Sequence, residues 1–163
     1  MREDPLNARA IFDILAGHRV DYIVLGGFAV GAHGYIRATK DLDIVPDPDP
    51  LNLERLAASI AELDGRVRGV EEFSDDELPQ PDAEGLALGG NWVMDTKHGR
   101  FDVLQLVADF EYADLASSAV ESEVFGHQIR FCGYDHLVAM KEAAGRDEDL
   151  LDLKRLREMR EQG

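Results

Sequence analysis

The sequence predicts one mixed α/β domain in which helices separate β-strands and two helices close the chain. The chain has 163 residues and is 45% hydrophobic, which is enough to form one core. Strand-like aliphatic runs alternate with runs whose apolar residues recur at helical spacing, and two helical runs end the chain without a strand between them. We therefore expect a single domain over residues 1–163, with a core at about 20–132 and a C-terminal helical pair at 134–160.

Elements of the first half alternate between helix and strand. Apolar residues at helical spacing after Pro5 predict a first helix, and the β-branched run that follows it predicts a buried strand. Asp49 and Pro50 are typical of a helix start, since aspartate caps the first turn and proline fits its first position. The predicted elements are helix 5–17, strand 20–25, helix 28–33, strand 41–45 and a helix from Asp49–Pro50 to about Gly65.

The second half predicts two β-hairpins and the closing helices. The acidic, proline-containing stretch 71–84 lacks periodicity and is expected to be a surface loop. Residues 97–100 and Gly126–His127 are typical of hairpin turns between β-forming runs. The predicted elements are strands 91–96 and 101–107, strands 120–125 and 128–131, and helices 134–144 and 147–160.

Charge and cysteine content exclude several classes of protein. The net charge is −16, from 33 acidic and 17 basic residues, and such a field repels nucleic acid, which argues against general DNA or RNA binding. Cys132 is the sole cysteine and predicts a buried small side chain in a reducing, cytoplasmic setting. No apolar run approaches the ~20 residues of a membrane helix, and the charged N-terminus leads into no signal-peptide core. We expect a soluble cytoplasmic protein with no membrane partner.

Two aspartates in the strand 41–45 are the first candidates for a functional site. Residues two apart in a strand point to the same face, so Asp41 and Asp43 project together while Leu42 and Ile44 face the core. Adjacent carboxylates repel each other unless a cation lies between them, and Mg²⁺ prefers such oxygen ligands. A solvated strand edge with alternating polar residues is the competing interpretation.

Gly26-Gly27 and Asp102 extend this candidate site. A strand that runs through glycines into a helix presents backbone N–H groups to phosphate, although most such turns are only tight turns. Asp102 stands in an otherwise apolar strand, where an unpaired acid costs free energy, so it is the candidate third metal ligand. The alternative is an edge-strand aspartate paired with Arg100 or Lys97.

Together these motifs resemble the nucleotidyltransferase superfamily of the DNA polymerase β type. Its signature is a hydrophobic residue, Gly, Gly or Ser, a spacer, and then Asp-hydrophobic-Asp/Glu-hydrophobic. Here Leu25-Gly26-Gly27 precedes Asp41-Leu42-Asp43-Ile44 by thirteen residues, with glycine where many active members have serine. The runs 26–43 and 141–153 are similar to the AbiEii-toxin-like branch of small uncharacterised nucleotidyltransferases. The resemblance implies the nucleotidyltransferase fold, a mixed β-sheet flanked by helices.

The resemblance also implies a reaction and a set of site residues. The expected activity is Mg²⁺-dependent transfer of a nucleoside monophosphate from an NTP to a hydroxyl of a small molecule, an RNA end or a protein, with Mn²⁺ as a substitute ion. Asp41, Asp43 and Asp102 would be the catalytic carboxylates and metal ligands. The nucleotide-binding candidates are Gly26, Gly27, Arg37, Thr39, Lys40 and Lys141. A solvated surface charge is the alternative interpretation for Arg37, Lys40 and Lys141.

Other functions are compatible with the same carboxylates. A regulatory or toxin–antitoxin component with this fold would act through a partner protein, such as a basic cognate antitoxin held by the acidic chain. A metal-dependent phosphodiesterase would use the same carboxylates without an acceptor. His33 is expected to cap a helix or pack in the core, whereas Trp92 and Tyr35 are candidates for stacking on a base or for core positions.

Overall fold

The computed structural model describes residues 5–68 and 79–162. Within these ranges the chain forms seven helices and seven β-strands. The helices are α1 (Ala8–Gly17), α2 (Gly26–Ala32), α3 (Pro50–Glu62), α4 (Ala83–Ala87), α5 (Tyr112–Ala116), α6 (Tyr134–Ala144) and α7 (Asp147–Gln162). The strands are β1 (Tyr22–Val24), β2 (Asp41–Pro46), β3 (Arg66–Val67), β4 (Asn91–Thr96), β5 (Gly99–Leu104), β6 (Val120–Val124) and β7 (His127–Phe131).

All seven strands belong to one mixed sheet with the order β3-β4-β5-β2-β1-β7-β6. Strands β2 and β5 are parallel neighbours near the middle of the sheet, and β1 is parallel to β7. The remaining pairs, including the hairpins β4–β5 and β6–β7, are antiparallel. The parallel register aligns Asp43 with Asp102, so the sheet brings two distant parts of the sequence side by side.

The core lies on the opposite face of β2 and β5 from the aspartates. Leu42, Ile44, Phe101 and Val103 are fully buried there, together with apolar side chains of α1 and α3. Each such side chain contributes roughly 1.5–3 kcal/mol by leaving water. This burial fixes the register of both strands, because a slip of one residue would turn the aspartates into the core.

Several predicted elements are confirmed almost to the residue. Helix α3 begins at Pro50, and the Asp49 side chain accepts a hydrogen bond of 2.9 Å from the Leu51 N–H. Both hairpins form where they were predicted, and α6 spans Tyr134–Ala144. It ends at Gly145, whose φ of +63° is the left-handed conformation that favours glycine at a helix end.

Other boundaries differ from the prediction. Helix α2 starts at Gly26 rather than at residue 28, so the two glycines form its first turn instead of a separate loop. Strand β5 ends at Leu104, and α4, α5 and β3 were not predicted, because elements of two to five residues are too short to show periodicity. Of the predicted loop 71–84, residues 71–78 lie outside the described residues, and 83–84 begin α4.

Among the described helices, none combines the length and the apolar character needed to cross a membrane. The extent of the single domain over residues 1–163 stays a prediction.

Candidate active site

Three carboxylates from two neighbouring strands form one cluster. Asp41 and Asp43 lie on the same face of β2, and Asp102 lies beside Asp43 on β5. One oxygen from each carboxylate can be chosen so that all three atoms lie within 4.8 Å of one another. This spacing is compact enough for a single ion to be shared, so the structure brings together the three residues that the sequence predicted as metal ligands.

The electrostatics of Asp43 show that the cluster fits a cation. Its Oδ1 atom is buried and has no hydrogen-bond partner. Burial, followed by repulsion from Asp41 and Asp102, raises the pKa of Asp43 to about 8. A buried carboxylate oxygen without a donor is costly unless a proton or a cation satisfies it. The donor set consists of carboxylate oxygens, which suit Mg²⁺ or Mn²⁺.

Gly26 allows the helix start to approach the carboxylates. Its φ is +66°, a backbone conformation that other residues rarely adopt. A Cβ atom at this position would lie 2.6 Å from Asp43 Oδ2, which is closer than non-bonded atoms can pack. The Leu25 N–H donates a 2.9 Å hydrogen bond to the Asp43 carbonyl oxygen and holds the turn against β2. Glycine is therefore required at residue 26 by both conformation and space.

Gly27 is covered by side chains from the loop that leads into β2. A Cβ atom at residue 27 would lie 2.1 Å from Thr39 Cγ2 and 3.3 Å from Arg37 Nη1. The Thr39 methyl group thus occupies the space that a side chain at residue 27 would need. The glycine at the second signature position and Thr39 are sterically matched, and a serine at residue 27 would require Thr39 to move.

Arg37 and Lys141 belong to a cluster of ion pairs with acids of α7. Arg37 donates two hydrogen bonds of 2.9 Å to Asp152 and lies 2.9 Å from Glu148. Lys141 is 7% exposed, and its Nζ lies 3.1 Å from Asp149 and 2.9 Å from Asp152. These two residues are therefore not solvated surface charges, whereas Lys40 is exposed.

The two buried aspartates of this cluster are held as anions. Burial would raise the pKa of Asp152, but hydrogen bonds from Arg37 and Lys141 outweigh it and lower that pKa. Asp149 follows the same pattern, with Arg146 and Lys141 as its partners. The resemblance of the run 141–153 implied that its lysine and later acids border a nucleotide site, but it did not predict that Asp149 and Asp152 pair with Lys141. The sequence pattern that could have predicted this pairing is Lys141 among the apolar residues of its helix, since a buried ammonium group requires carboxylate partners.

Asp102 has a partner that the sequence analysis named only as an alternative. Arg100 donates to both oxygens of Asp102, at 3.3 and 3.0 Å. The edge-strand part of that alternative is wrong, because β5 lies between β4 and β2 inside the sheet. Asp102 is 4% exposed and belongs to the carboxylate cluster as well. The pairing with Arg100 is therefore observed, whereas the role of Asp102 as a metal ligand stays a prediction.

The remaining candidates have structural positions. His33 follows α2 as its C-cap residue, and its Nε2 lies 2.9 Å from the Cys132 carbonyl oxygen, in agreement with the predicted structural role. Cys132 is fully buried, and burial raises the pKa of its thiol to about 12, which makes it a poor nucleophile. Trp92 is a core residue at 8% exposure, and Tyr35 packs against the same core.

No protein-family model and no curated protein matches this sequence. Solved structures do match it. The lincomycin-bound lincosamide antibiotic adenylyltransferase LnuA superposes with a TM-score of 0.61 and 12% identity, over 96% of this chain and 99% of that one. ANT(2'')-Ia in complex with adenylyl-2''-tobramycin gives a TM-score of 0.56 and 18% identity, over 90% of this chain and 82% of that one. TM1012 from Thermotoga maritima, a nucleotidyltransferase candidate, gives a TM-score of 0.53 and 18% identity, over 90% of this chain and 88% of that one.

These similarities define the class of fold. The chain has the nucleotidyltransferase fold, as the signature predicted, with a mixed seven-stranded sheet and the acidic cluster on its two central parallel strands. The narrower resemblance to the AbiEii-toxin-like branch stays a prediction, and so do the roles of the individual site residues.

Proposed function

We propose that this chain is a divalent-metal-dependent nucleotidyltransferase that moves a nucleoside monophosphate from an NTP to a hydroxyl group. The observation that carries the proposal is the three-carboxylate cluster with its buried, unpartnered Asp43 oxygen. Carboxylates this close repel one another when ionised, and Asp41 and Asp43 would be stabilised by a cation between them. Mg²⁺ is the proposed ion, and Mn²⁺ is expected to substitute for it.

The three aspartates would have different tasks. Asp41 and Asp43 would hold the ion, and Asp102 would complete the site and accept the proton of the attacking hydroxyl. When bound, the ion would neutralise and orient the phosphate oxygens around the reacting α-phosphate. Asp102 lies directly opposite Asp43 on the neighbouring strand. It is therefore the carboxylate proposed to accept the proton beside the ion.

The turn at Gly26–Gly27 and the side chains packed on it would hold the phosphates. Gly26 and Gly27 begin α2, whose N-cap Leu25 makes no side-chain hydrogen bond to the helix, so the first-turn N–H groups lack a side-chain cap. Arg37 and Thr39 pack directly on this turn and are the proposed side-chain contacts. Lys40 is the exposed residue directly before Asp41 and is proposed to contact an outer phosphate.

Lys141 is proposed to act on the nucleotide through another residue. It shares Asp152 with Arg37, so it helps to fix the position of the Arg37 guanidinium. A buried lysine between two aspartates also neutralises the acids of α7, which would otherwise repel a triphosphate.

A small molecule is the acceptor that the comparisons favour. LnuA is a lincosamide antibiotic adenylyltransferase, and ANT(2'')-Ia was solved with an adenylylated tobramycin. This chain matches LnuA over nearly the full length of both proteins, which supports the same kind of acceptor for this chain. An RNA end and a protein side chain are the alternative acceptors.

The proposal is tested by incubating the protein with labelled ATP, GTP, CTP or UTP, Mg²⁺ or Mn²⁺, and a panel of hydroxyl compounds that includes lincomycin and tobramycin. Transfer of label that disappears in Asp41→Asn supports it. Asp13→Asn, which removes an exposed carboxylate on α1, is the matched control. Absence of nucleotide binding with either ion would refute the enzyme proposal.

The regulatory or toxin–antitoxin alternative is separated by a growth assay. Expression of the chain with and without a neighbouring gene would reveal toxicity and its relief by a partner. Toxicity lost in Asp41→Ala would indicate an enzymatic toxin, whereas unchanged toxicity would indicate action through binding alone. In the described residues no contact or surface specifically favours this alternative.

A further inference from the structure

Arg100 is a cation already built into the carboxylate cluster. It lies on β5 two residues before Asp102, so both side chains point to the same face of the sheet. Its register partner on β2 is Asp41, and its register partner on β4 is Asp95. Arg100 thus pairs with Asp102 and lies beside Asp41 and Asp95 in the sheet, and its pKa is raised, first by the hydrogen bond to Asp102.

The pairing with Asp102 uses both carboxylate oxygens. Arg100 Nε lies 3.3 Å from Oδ1, and Nη2 lies 3.0 Å from Oδ2. This two-pronged geometry is the one in which arginine binds a carboxylate most strongly. A metal ion that approaches the cluster would meet Asp41 and Asp43 without such a partner, but would have to compete for Asp102.

The two partners differ in their exposure. The Arg100 side chain is 34% exposed, whereas the Asp102 side chain is 6% exposed. The guanidinium group therefore borders solvent into which it could move, whereas the carboxylate is enclosed by protein. Asp95 offers a second partner on the same face, since directly opposite residues of antiparallel strands have Cβ atoms about 4.5–5.5 Å apart. Asp95 also lies 3.3 Å from Arg68 and is 44% exposed.

Charge balance indicates when Arg100 would release Asp102. Three ionised carboxylates are neutralised by Arg100 and one divalent ion together, so a further ion would leave excess positive charge before substrate arrives. A triphosphate supplies negative charge that both attracts an ion and competes for the guanidinium group. Substrate binding is thus the event that would release Asp102.

We propose that Arg100 holds Asp102 and competes with the divalent ion for it, so that Asp102 becomes a metal ligand only after Arg100 has let go. This inference rests on the proposed function, since it assumes that the cluster binds a metal ion. It adds a control on when the third carboxylate becomes available to the ion and to the acceptor hydroxyl.

The test measures Mn²⁺ binding in the absence of nucleotide. The readout is calorimetry or the electron paramagnetic resonance signal of free Mn²⁺. Arg100→Met is expected to bind Mn²⁺ at least about tenfold more tightly than wild type, because a competing charge is removed. Arg155→Met removes an arginine from an exposed pair with Glu158 on α7 and is expected to bind Mn²⁺ as wild type does.

A double-mutant cycle separates competition for Asp102 from a general charge effect. In an Asp102→Asn background, Arg100→Met should change Mn²⁺ affinity by much less than it does in wild type. An equal gain in both backgrounds, or no gain in Arg100→Met, would overturn the inference. If Arg100→Met does not fold, Arg100→Lys replaces it. That variant keeps the charge but loses the two-pronged geometry, so it should still bind Mn²⁺ more tightly than wild type, and equal affinity would overturn the inference.

The same measurements distinguish the two proposals. Mn²⁺ binding to wild type with no difference in Arg100→Met would refute the role of Arg100 and leave the proposed function standing. Absence of Mn²⁺ binding in wild type and in Arg100→Met would refute both.

Discussion

Asp43→Asn should remove a pH dependence of stability from the metal-free protein. In the folded state the pKa of Asp43 is raised to about 8, first by burial and then by the neighbouring Asp41 and Asp102. In the unfolded chain it returns to its ordinary value of 3.8. Between these values the folded state binds a proton that the unfolded state does not, so the free energy of unfolding falls as pH rises.

The size of the effect follows from the difference between the two pKa values. Each pH unit in this window lowers the free energy of unfolding by up to about 1.4 kcal/mol. From pH 5 to pH 8 the loss reaches at most about 3.5 kcal/mol, and it is smaller if the three carboxylates share the proton. Asparagine cannot ionise, so the variant should lack this slope and should be more stable than wild type at pH 8.

The assay is urea denaturation of wild type and Asp43→Asn at pH 5, 6, 7 and 8 with a chelator present. Groups that titrate in both proteins cancel in the difference between the two curves. Asp149 and Asp152 have lowered pKa values and lose their contribution only below the usual aspartate range, while the Cys132 thiol titrates near pH 12. Adding Mg²⁺ at pH 8 should restore stability to wild type and not to the variant.

Parallel stability curves for the two proteins would refute this reasoning. They would mean that Asp43 ionises in the folded state as easily as in water, so that its buried oxygen has no need of a cation. A wild type that becomes more stable from pH 5 to pH 8, relative to the variant, would reverse the sign and exclude the burial of Asp43.

Three further predictions concern the turn and the ion-pair cluster. Gly26→Ala places a Cβ 2.6 Å from Asp43 Oδ2 and should weaken Mn²⁺ binding and destabilise the fold by about 1–3 kcal/mol, measured by calorimetry and urea denaturation. Gly27→Ser should be destabilising because of the Thr39 methyl group, and adding Thr39→Ser should recover much of the loss in thermal stability. Asp152→Ala should cost up to about 3–5 kcal/mol in urea denaturation, because it removes the buried carboxylate that Arg37 and Lys141 share and leaves each of them with one acidic partner.

Each of these predictions has its own contradicting result. Unchanged Mn²⁺ affinity in Gly26→Ala would mean that the turn does not border the metal site. Additive effects of the two substitutions at residues 27 and 39 would deny their steric coupling. Wild-type stability in Asp152→Ala would mean that Arg37 and Lys141 are satisfied by their other partners, Glu148 and Asp149.

The acidic cluster could be predicted from sequence because its signals are local. Alternation in 41–44 places both aspartates on one face, and an aspartate inside an apolar strand demands a partner. The parallel register that aligns residue 43 with residue 102 could not be predicted, because it depends on how two distant strands pair. The family resemblance, and not the physical chemistry of the residues, predicted that Asp102 lies beside Asp41 and Asp43.

The ion-pair cluster could not be predicted from the sequence, and the pairing of Arg100 with Asp102 was predicted only as an alternative. Arg37 and Asp152 are 115 residues apart, and only the tertiary fold brings α7 to the loop that leads into β2. Arg100 and Asp102 are two residues apart, but an arginine at that spacing pairs with the acid only if both extend on the same strand face with room between them. Contacts that depend on tertiary packing leave no local pattern to find.

The most direct test of the central claim is a crystal structure with Mg²⁺ and a non-hydrolysable NTP. The account predicts an ion at ligand distance from Asp41 and Asp43, triphosphate oxygens over the turn at Gly26–Gly27, and the α-phosphate facing Asp102. Nucleotide bound elsewhere on the protein, or an ion that leaves the buried Asp43 oxygen without a partner, would contradict it.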